Sequence, residues 1–461
     1  MTKPLVVLNI VGLTYDMLGE RTPHLQRLAE EGFARPMGTV LPAVTCSAQS
    51  TLLTGLLPRE HGIVGNGWYF RDTAEIRFWL QSNHLVEGER VYQTAKQRDP
   101  NYTTAKMFWW YNMYAPVDFS VTPRPSYPAD GRKVFDSYSQ PVELKDQLQE
   151  KLGVFPLFKF WGPTANIESS RWIADASIQV MREHNPSLTL VYLPHLDYNL
   201  QRLGVSNKEI DQDIRDIDTE AGRLIEAAKA RGADVIVVSE YAITDVCQPV
   251  HINRVLREAG YLHCRKEILG WETLDAGASR AFAVADHQLA HVYVPRSEEL
   301  SVVKKLLEQT DGIERVLDRA EQAEFGIDHP RTGDLVAIAG AGAWFTYYFW
   351  LDDALAPDYA RTVDIHRKPG YDPVELFVDP EIKLPMLKVA RRLARKKLGF
   401  RYYMDMIGLD AKLVKGSHGR LPTPGREEAE GPVFISSSRK IERDDVPMTA
   451  VKEMMLQLQF D

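Results

Sequence analysis

The chain has 461 residues, 44% of them hydrophobic and 26% charged, with a net charge of −8. This is an ordinary globular composition with enough apolar residues for a large core, and its acidity gives no overall electrostatic attraction to nucleic acid or anionic membranes. No stretch reaches the ~20 apolar residues that span a bilayer. The three cysteines show no CxxC spacing, which argues against a disulfide framework or a zinc–thiolate site and predicts a reducing, cytoplasmic compartment.

The first predicted elements are a strand and a helix. Residues 4–12 form a continuous apolar, β-branched run that ends in glycine, which is typical of a strand buried on both faces. Residues 22–32 predict a helix, since Thr22 can cap it, Pro23 suits its first position and Gly32 can end it.

Helices and strands then alternate along the chain. A predicted helix at 167–184 precedes a strand at 188–193, and a helix at 208–231 precedes a strand at 234–239. This alternation predicts an α/β fold with a mostly parallel central sheet flanked by helices. In such sheets ligands bind beyond the carboxyl ends of the strands, so we expect the functional site in the loops that follow them.

Two segments are predicted to be insertions into this core. The core is expected to comprise residues 1–115, 165–355 and 411–461, and the inserted cap segments residues 115–165 and 355–410. The first insertion is rich in aromatic residues and proline, and both are expected to influence specificity.

Residues 42–66 form the segment with the clearest chemical pattern, PAVTCSAQSTLLTGLLPREHGIVGN. Thr45 opens a predicted helix, where the positive end of the helix dipole favours an anionic phosphate. An amide donor such as Asn66, placed opposite, can stabilise charge that develops in a transition state. The simpler alternative is that Thr45 only caps the helix.

This segment resembles the nucleophile segment of the nucleotide pyrophosphatase/phosphodiesterases, a branch of the alkaline phosphatase superfamily. The resemblance continues through residues 279–294 and through the Gly-Ser-His-Gly loop at His418. It implies an alkaline-phosphatase-like fold, Thr45 as the nucleophile, Asn66 as the donor to a phosphoryl oxygen and His418 as a zinc ligand. The histidines at 287 and 291 are interpreted as structural.

The expected metal ligands depart from the family pattern, in which two zinc ions lie about 4 Å apart. Val11 stands at the first aspartate position, and Glu240-Tyr241 replaces an Asp-His pair. His195 and Asn199 replace an aspartate and a histidine four residues apart. The resemblance leaves His195, Asn199, Glu240 and His418 as candidate metal ligands, with Asp197 as an alternative oxygen ligand. Such a set leaves open zinc or another divalent metal at reduced or altered occupancy, or no metal at all.

Three further features each have a functional and a simpler interpretation. Cys46 could be a thiolate at a helix N-terminus, but a small buried residue is favoured. The aromatic residues 68–70 either stack on a ligand ring or pack in the core. The basic stretch 388–397 is interpreted as a solvated helix face.

Two functional hypotheses follow from these residues. The first is a phosphodiesterase or nucleotide pyrophosphatase-like hydrolase that acts on a small organic phosphate or diphosphate through Thr45 at a remodelled metal site. The alternative is a catalytically altered or inactive family member that binds a phosphorylated metabolite or a partner. Neither hypothesis involves nucleic acid or a transmembrane segment, and a homo-oligomer is left open.

Overall fold

The computed structural model describes residues 2–129, 133–400 and 403–461. The strands are, in chain order, β1 (Leu5–Ile10), β2 (Phe33–Gly38), β3 (Gly67–Phe70), β4 (Glu75–Phe78), β5 (Thr104–Met107), β6 (Phe119–Pro123), β7 (Ser137–Gln140), β8 (Leu188–Leu193), β9 (Asp234–Val238), β10 (Thr244–Asp245), β11 (Gln248–Val250), β12 (Cys264–Lys266), β13 (Glu272–Leu274), β14 (Phe282–Asp286), β15 (Leu289–Tyr293), β16 (Ile313–Leu317), β17 (Leu335–Ala339), β18 (Ala343–Phe345), β19 (Gly416–Ser417), β20 (Val433–Ser436) and β21 (Val446–Pro447).

The α-helices are α1 (Pro23–Glu31), α2 (Thr45–Thr54), α3 (Pro58–His61), α4 (Val91–Arg98), α5 (Leu144–Leu152), α6 (Leu157–Phe160), α7 (Ile167–His184), α8 (His195–Leu203), α9 (Ile210–Ala230), α10 (Ile252–Glu258), α11 (Leu300–Glu308), α12 (Arg319–Glu324), α13 (Pro385–Lys397), α14 (Glu427–Glu430) and α15 (Val451–Phe460). No helix within the described ranges has the length and apolar character needed to cross a membrane.

A nine-stranded sheet in the order β21-β2-β20-β9-β1-β8-β5-β6-β7 forms the centre of the fold. The five strands from β9 to β6 are mutually parallel, whereas β20 pairs antiparallel with both β9 and β2. Every residue of β1, β8 and β9 is buried, because helices cover the sheet on both faces. The predicted α/β class with a mostly parallel central sheet is therefore confirmed.

Helices pack around this sheet in two groups that share its core. Helix α7 packs on α9, which also contacts α1, and α15 packs on α2 and α4. Their apolar sides and the central strands form one large cluster of buried residues. This packing fixes the ends of the parallel strands and the start of α2, which together position the candidate site.

A smaller antiparallel sheet, in the order β14-β15-β17-β16, lies beside the first. It has a second apolar core that includes the aromatic run Tyr347-Tyr348-Phe349-Trp350. The turn between β14 and β15 contributes residues to the candidate site. The predicted insertion at 115–165 provides β6 and β7 at one edge of the central sheet, and the domain boundaries stay a prediction.

Candidate active site

The candidate site lies where the parallel strands β1, β8 and β9 end and helix α2 begins. Thr45 is the first residue of α2 and is 4% exposed. Val44 takes the N-cap position, so the Thr45 side chain does not cap the helix. The carboxyl ends of the strands place Val11, His195 and Glu240 on this side of the sheet.

The Thr45 hydroxyl is engaged by a tyrosine. Its Oγ1 lies 3.2 Å from the hydroxyl oxygen of Tyr241, which in turn donates to Asp197 Oδ1 at 3.3 Å. Burial raises the pKa of Asp197 to about 7, although hydrogen bonds from Tyr241 and Gln201 oppose the shift. Burial also holds the pKa of the Tyr241 phenol well above its usual value, so this hydroxyl stays protonated. A chain of neutral or partly neutral groups therefore begins at the predicted nucleophile.

Four rings stack in series next to this chain. The Tyr241 ring lies 3.5 Å from that of His418 at an interplanar angle of 6°. His418 lies 3.7 Å from His287, and His287 lies 3.6 Å from Tyr371, between ring centroids. We call Tyr241, His418, His287 and Tyr371 the ring stack. Burial lowers the pKa of both histidines well below its usual value, so the rings are neutral.

Hydrogen bonds join the two ends of the ring stack. The Tyr371 hydroxyl donates to Gln201 Oε1 at 3.0 Å, and Gln201 Nε2 donates to Asp197 Oδ2 at 2.8 Å. Asp197 also accepts from Tyr241 at the other end. The residues thus form a closed circuit of contacts that fixes all four rings.

Asn66 is held by an internal network. Its amide Nδ2 donates to Asp286 Oδ1 at 3.0 Å, and its backbone N–H donates to Asp286 Oδ2 at 2.8 Å. Its Oδ1 accepts from the backbone N–H of Cys46 at 3.0 Å. Both donors that could meet a phosphoryl oxygen, the Asn66 amide and the Cys46 N–H at the start of α2, therefore already have partners.

Glu240 is fully buried behind Thr45. Its Oε1 accepts from Asn9 Nδ2 and from Gln49 Nε2, both at 2.6 Å. Burial raises the pKa of Glu240 to about 8, and the hydrogen bonds from Gln49 and Asn9 oppose the shift. Both amides therefore bind the same carboxyl oxygen of Glu240.

The two predicted ligands on α8 face another helix. His195 Nε2 lies 3.1 Å from Asp213 Oδ1 on α9, and Asn199 Nδ2 donates to Asp213 Oδ2 at 2.7 Å. Asn199 Oδ1 accepts from Arg202 at 2.9 Å. Within the described ranges, His195, Asp213 and Asp216 offer ligand atoms that all lie within 4.8 Å of one another. This group contains His195 alone of the four predicted ligands.

The residues interpreted as structural are buried and hydrogen-bonded. His291 Nε2 donates to the carbonyl oxygen of Val64 at 2.8 Å, and its Nδ1 accepts from the backbone N–H of Gly333. Burial raises the pKa of the Cys46 thiol well above its usual value, which leaves it a poor nucleophile. Both observations agree with the simpler interpretations.

Comparison with known proteins connects this site to a family. The family model of the type I phosphodiesterases/nucleotide pyrophosphatases matches residues 5–372. The chain belongs to this family. An uncharacterized pyrophosphatase/phosphodiesterase of Schizosaccharomyces pombe is 26% identical over 263 residues, which cover 54% of this chain and 46% of the relative. The match thus spans about half the length of that relative.

Solved structures share the fold of this family member at low sequence identity. Phosphonoacetate hydrolase from Sinorhizobium meliloti, in complex with phosphonoformate, superposes with a TM-score of 0.63 at 15% identity over 99% of this chain and 95% of that one. An inactive threonine-to-alanine variant of murine ectonucleotide pyrophosphatase/phosphodiesterase 5, in complex with AMP, gives a TM-score of 0.58 at 15% identity with the same coverage. The alkaline-phosphatase-like architecture expected from the sequence is confirmed.

The family's two-zinc centre does not fit the residues present here. At one zinc position Val11 is apolar, the Tyr241 phenol is bonded to Asp197, and Glu240 accepts hydrogen bonds from two amides. At the other, the Asn199 amide is used in two hydrogen bonds, so His195 and His418, whose buried Nε2 has no hydrogen-bond partner in the described part of the chain, remain of the predicted ligands. Zinc requires His, Cys or carboxylate ligands that converge on one point, and these side chains do not provide two such sets.

Several site residues were not found from the sequence. Tyr371 and Gln201 close the circuit, but each stands in a stretch without a recognisable motif. Gln49, which holds Glu240, lies within the segment 42–66, but the pattern there assigns no role to its side chain. The sequence gives one indication of the group formed by Asp213 and Asp216, since acidic residues three apart on a predicted helix lie on the same face. Their partner His195 is on a different helix, so only the tertiary fold brings them together.

The buried Asp286 predicts a pH-dependent stability. Burial raises the pKa of Asp286 from 3.8 to about 6. The folded state binds this proton more tightly than the unfolded state does. The resulting stabilisation of about 3 kcal/mol is complete below about pH 4 and is lost as the pH rises through about 6. We expect the free energy of unfolding of wild type to fall by this amount, relative to Asp286→Asn, between about pH 4 and about pH 8.

Denaturant unfolding at both pH values measures the difference. The Asp286→Asn variant also loses a hydrogen bond, but that loss does not depend on pH. Asp444→Asn, at an exposed position, is the control and should leave the pH dependence unchanged. Parallel pH profiles for wild type and Asp286→Asn would contradict the assignment.

Proposed function

We propose that this chain is a catalytically altered member of the family, whose role is binding rather than two-metal hydrolysis. The observation that supports this most directly is Tyr241, which stands where the family has a metal-ligating histidine. Its hydroxyl pairs with Thr45 and Asp197, and its ring is fixed in the ring stack. The predicted nucleophile thus has a phenol as its neighbour where the family pattern has an imidazole.

The groups that would stabilise a phosphoryl transition state support the same proposal. Asn66 donates to Asp286, and the Cys46 N–H is capped by Asn66. A phosphate at Thr45 would have to displace both interactions, one of which is made to the fully buried Asp286 carboxylate. Binding of a phosphorylated metabolite at this point therefore requires a rearrangement, whereas binding of a partner elsewhere does not.

Hydrolysis through Thr45 is the second candidate, since Thr45 stands at the N-terminus of the ten-residue helix α2. The two candidates differ in turnover of an aryl phosphodiester. We expect wild type, with or without added zinc, to show no turnover above that of Thr45→Ala. Thr54→Ala is the matched control, because it makes the same change at the other end of α2, where the hydroxyl donates to Ser50 O.

Turnover that survives in Thr54→Ala and disappears in Thr45→Ala would overturn the proposal and establish the hydrolase. Elemental analysis after incubation with zinc and dialysis gives a second readout. Two zinc ions per chain would contradict the proposal. We expect at most one, bound by His195, Asp213 and Asp216 and lost in Asp213→Asn. The cytoplasmic location predicted from the cysteines stays a prediction.

A further inference from the structure

Helix α13 turns its apolar side away from the protein. The sequence interpretation of residues 388–397, a solvated helix face, agrees with the exposure of this helix but gives its apolar residues no role. None of its residues is buried, and Met386, Leu387 and Leu393 are 80%, 63% and 44% exposed. Globular proteins normally bury the apolar side of an amphipathic helix, so this side is expected to have a partner.

The helix separates apolar and basic residues into two arcs. At 3.6 residues per turn, one side carries the apolar arc, which consists of Met386, Leu387, Val389, Ala390, Leu393, Ala394 and Leu398. The opposite side carries the basic arc, which consists of Lys388, Arg391, Arg392, Arg395 and Lys396. Lys397 is the exception, since at 100° per residue it lies within the apolar arc. Exposed Leu384 and Phe400 extend the apolar surface at the two ends of the helix.

The basic arc attaches the helix to the protein. Asp405 accepts from Arg392 at 2.9 Å and lies 3.1 Å from the Lys388 ammonium, which also donates to its carbonyl oxygen. Lys388 and Arg392 are one turn apart, so together they fix the rotation of α13 about its axis. This rotation directs the apolar arc outward.

The charge of the segment around α13 indicates which kind of partner could cover its apolar arc. Residues 382–400 contain seven basic residues and no acidic residue, in a chain of net charge −8. A second α13 would bring like charges together, which disfavours pairing through this face. An anionic lipid surface has a negatively charged headgroup layer over an apolar acyl-chain layer, and it therefore complements a helix that is both basic and apolar. Lysine and arginine side chains can extend to the headgroups, while leucine and phenylalanine enter the acyl-chain layer.

We propose that α13 binds an anionic lipid surface, with its apolar arc inserted at the level of the acyl-chain boundary and its exposed basic residues, Arg391, Arg395 and Lys397, at the headgroups. This inference does not depend on the proposed function. The protein as a whole is negatively charged and is repelled by an anionic membrane, whereas the segment that carries α13 is strongly basic and is attracted to it. This difference turns α13 toward the membrane. The helix lies in the membrane plane and does not cross the bilayer.

Co-sedimentation of the full chain with vesicles tests the proposal. We expect binding to phosphatidylcholine vesicles that contain phosphatidylserine, much weaker binding to phosphatidylcholine alone, and a decrease with added salt. Met386→Ser/Leu387→Ser/Leu393→Ser should weaken binding at least about tenfold. Arg391→Gln/Lys397→Gln should weaken it about 25-fold, because each basic residue near the surface is worth about fivefold.

The matched control is Ile268→Ser/Leu269→Ser/Val302→Ser, which removes three equally exposed apolar side chains elsewhere and should leave vesicle binding unchanged. All of the substituted residues are exposed, and unchanged melting temperatures verify that the fold is retained. Absence of binding to anionic vesicles would overturn the proposal. A concentration-dependent dimer that the α13 triple variant disrupts would overturn it in favour of a second copy.

Discussion

Replacing Tyr241 with alanine is expected to lower the free energy of unfolding by about 3–5 kcal/mol, as for other buried aromatic residues. The ring is 2% exposed and stacks on His418 at 3.5 Å, so its removal leaves a cavity inside the ring stack. The hydroxyl bond to Asp197 is lost as well. Denaturant unfolding of the purified variant measures the effect.

Two further variants separate the ring from the hydroxyl. Tyr241→Phe keeps the stacked ring but removes one hydrogen bond from Asp197, so we expect a smaller loss of about 1–2 kcal/mol. Tyr114→Ala, at a position that is 55% exposed, should change stability by less than about 0.5 kcal/mol. A loss below about 1 kcal/mol for Tyr241→Ala would show that the ring stack contributes little to the fold.

Replacing Lys368 with methionine is expected to destabilise the protein by about 3–5 kcal/mol. The ammonium group is 1% exposed and lies 2.8 Å from Asp372 Oδ2 and 2.7 Å from Glu375 Oε1. Glu375 also accepts from the Trp161 indole at 2.6 Å. Without Lys368, two fully buried carboxylates remain without their cation, which is the costly state of a buried ion pair.

A compensated variant tests this explanation. Lys368→Met/Asp372→Asn/Glu375→Gln removes the charges together, so it should recover a large part of the stability lost in the single variant. Lys229→Met, which breaks a surface pair with Glu31, is the control and should cost less than about 1 kcal/mol. If the triple variant is less stable than Lys368→Met, the uncompensated carboxylates are not the cause.

Local sequence signals predicted several elements of the fold to within a residue. The helix at Ile167–His184 and the strand at Leu188–Leu193 have the predicted bounds. Asn166 caps that helix by accepting from the Glu168 N–H, and Asn185 ends it in a left-handed conformation. Such signals act over a few residues, so one sequence is enough to read them. The order of strands in the sheet depends on distant pairings and could not be read in this way.

The candidate site also combines features that follow from local sequence with features that depend on distant residues. The start of a helix at Thr45 could be predicted, because it is a property of a short segment. The ring stack could not, since its members at 241, 287, 371 and 418 come from four separate parts of the chain. The orientation of Asn66 toward Asp286 also depends on the turn between β14 and β15.

The position of β20 in the sheet affects folding of the chain during its synthesis. This strand pairs with β2 on one side and β9 on the other, although about 200 residues separate it from β9 in the sequence. At a synthesis rate of ~5–20 residues per second, β9 waits about 10–40 s for β20 to be synthesised, and β2, which lies about 400 residues before β20, waits about 20–80 s. During that time each exposes an unpaired edge, the feature that recruits foreign strands. The nascent chain is therefore expected to need chaperone protection until Ser436 has emerged.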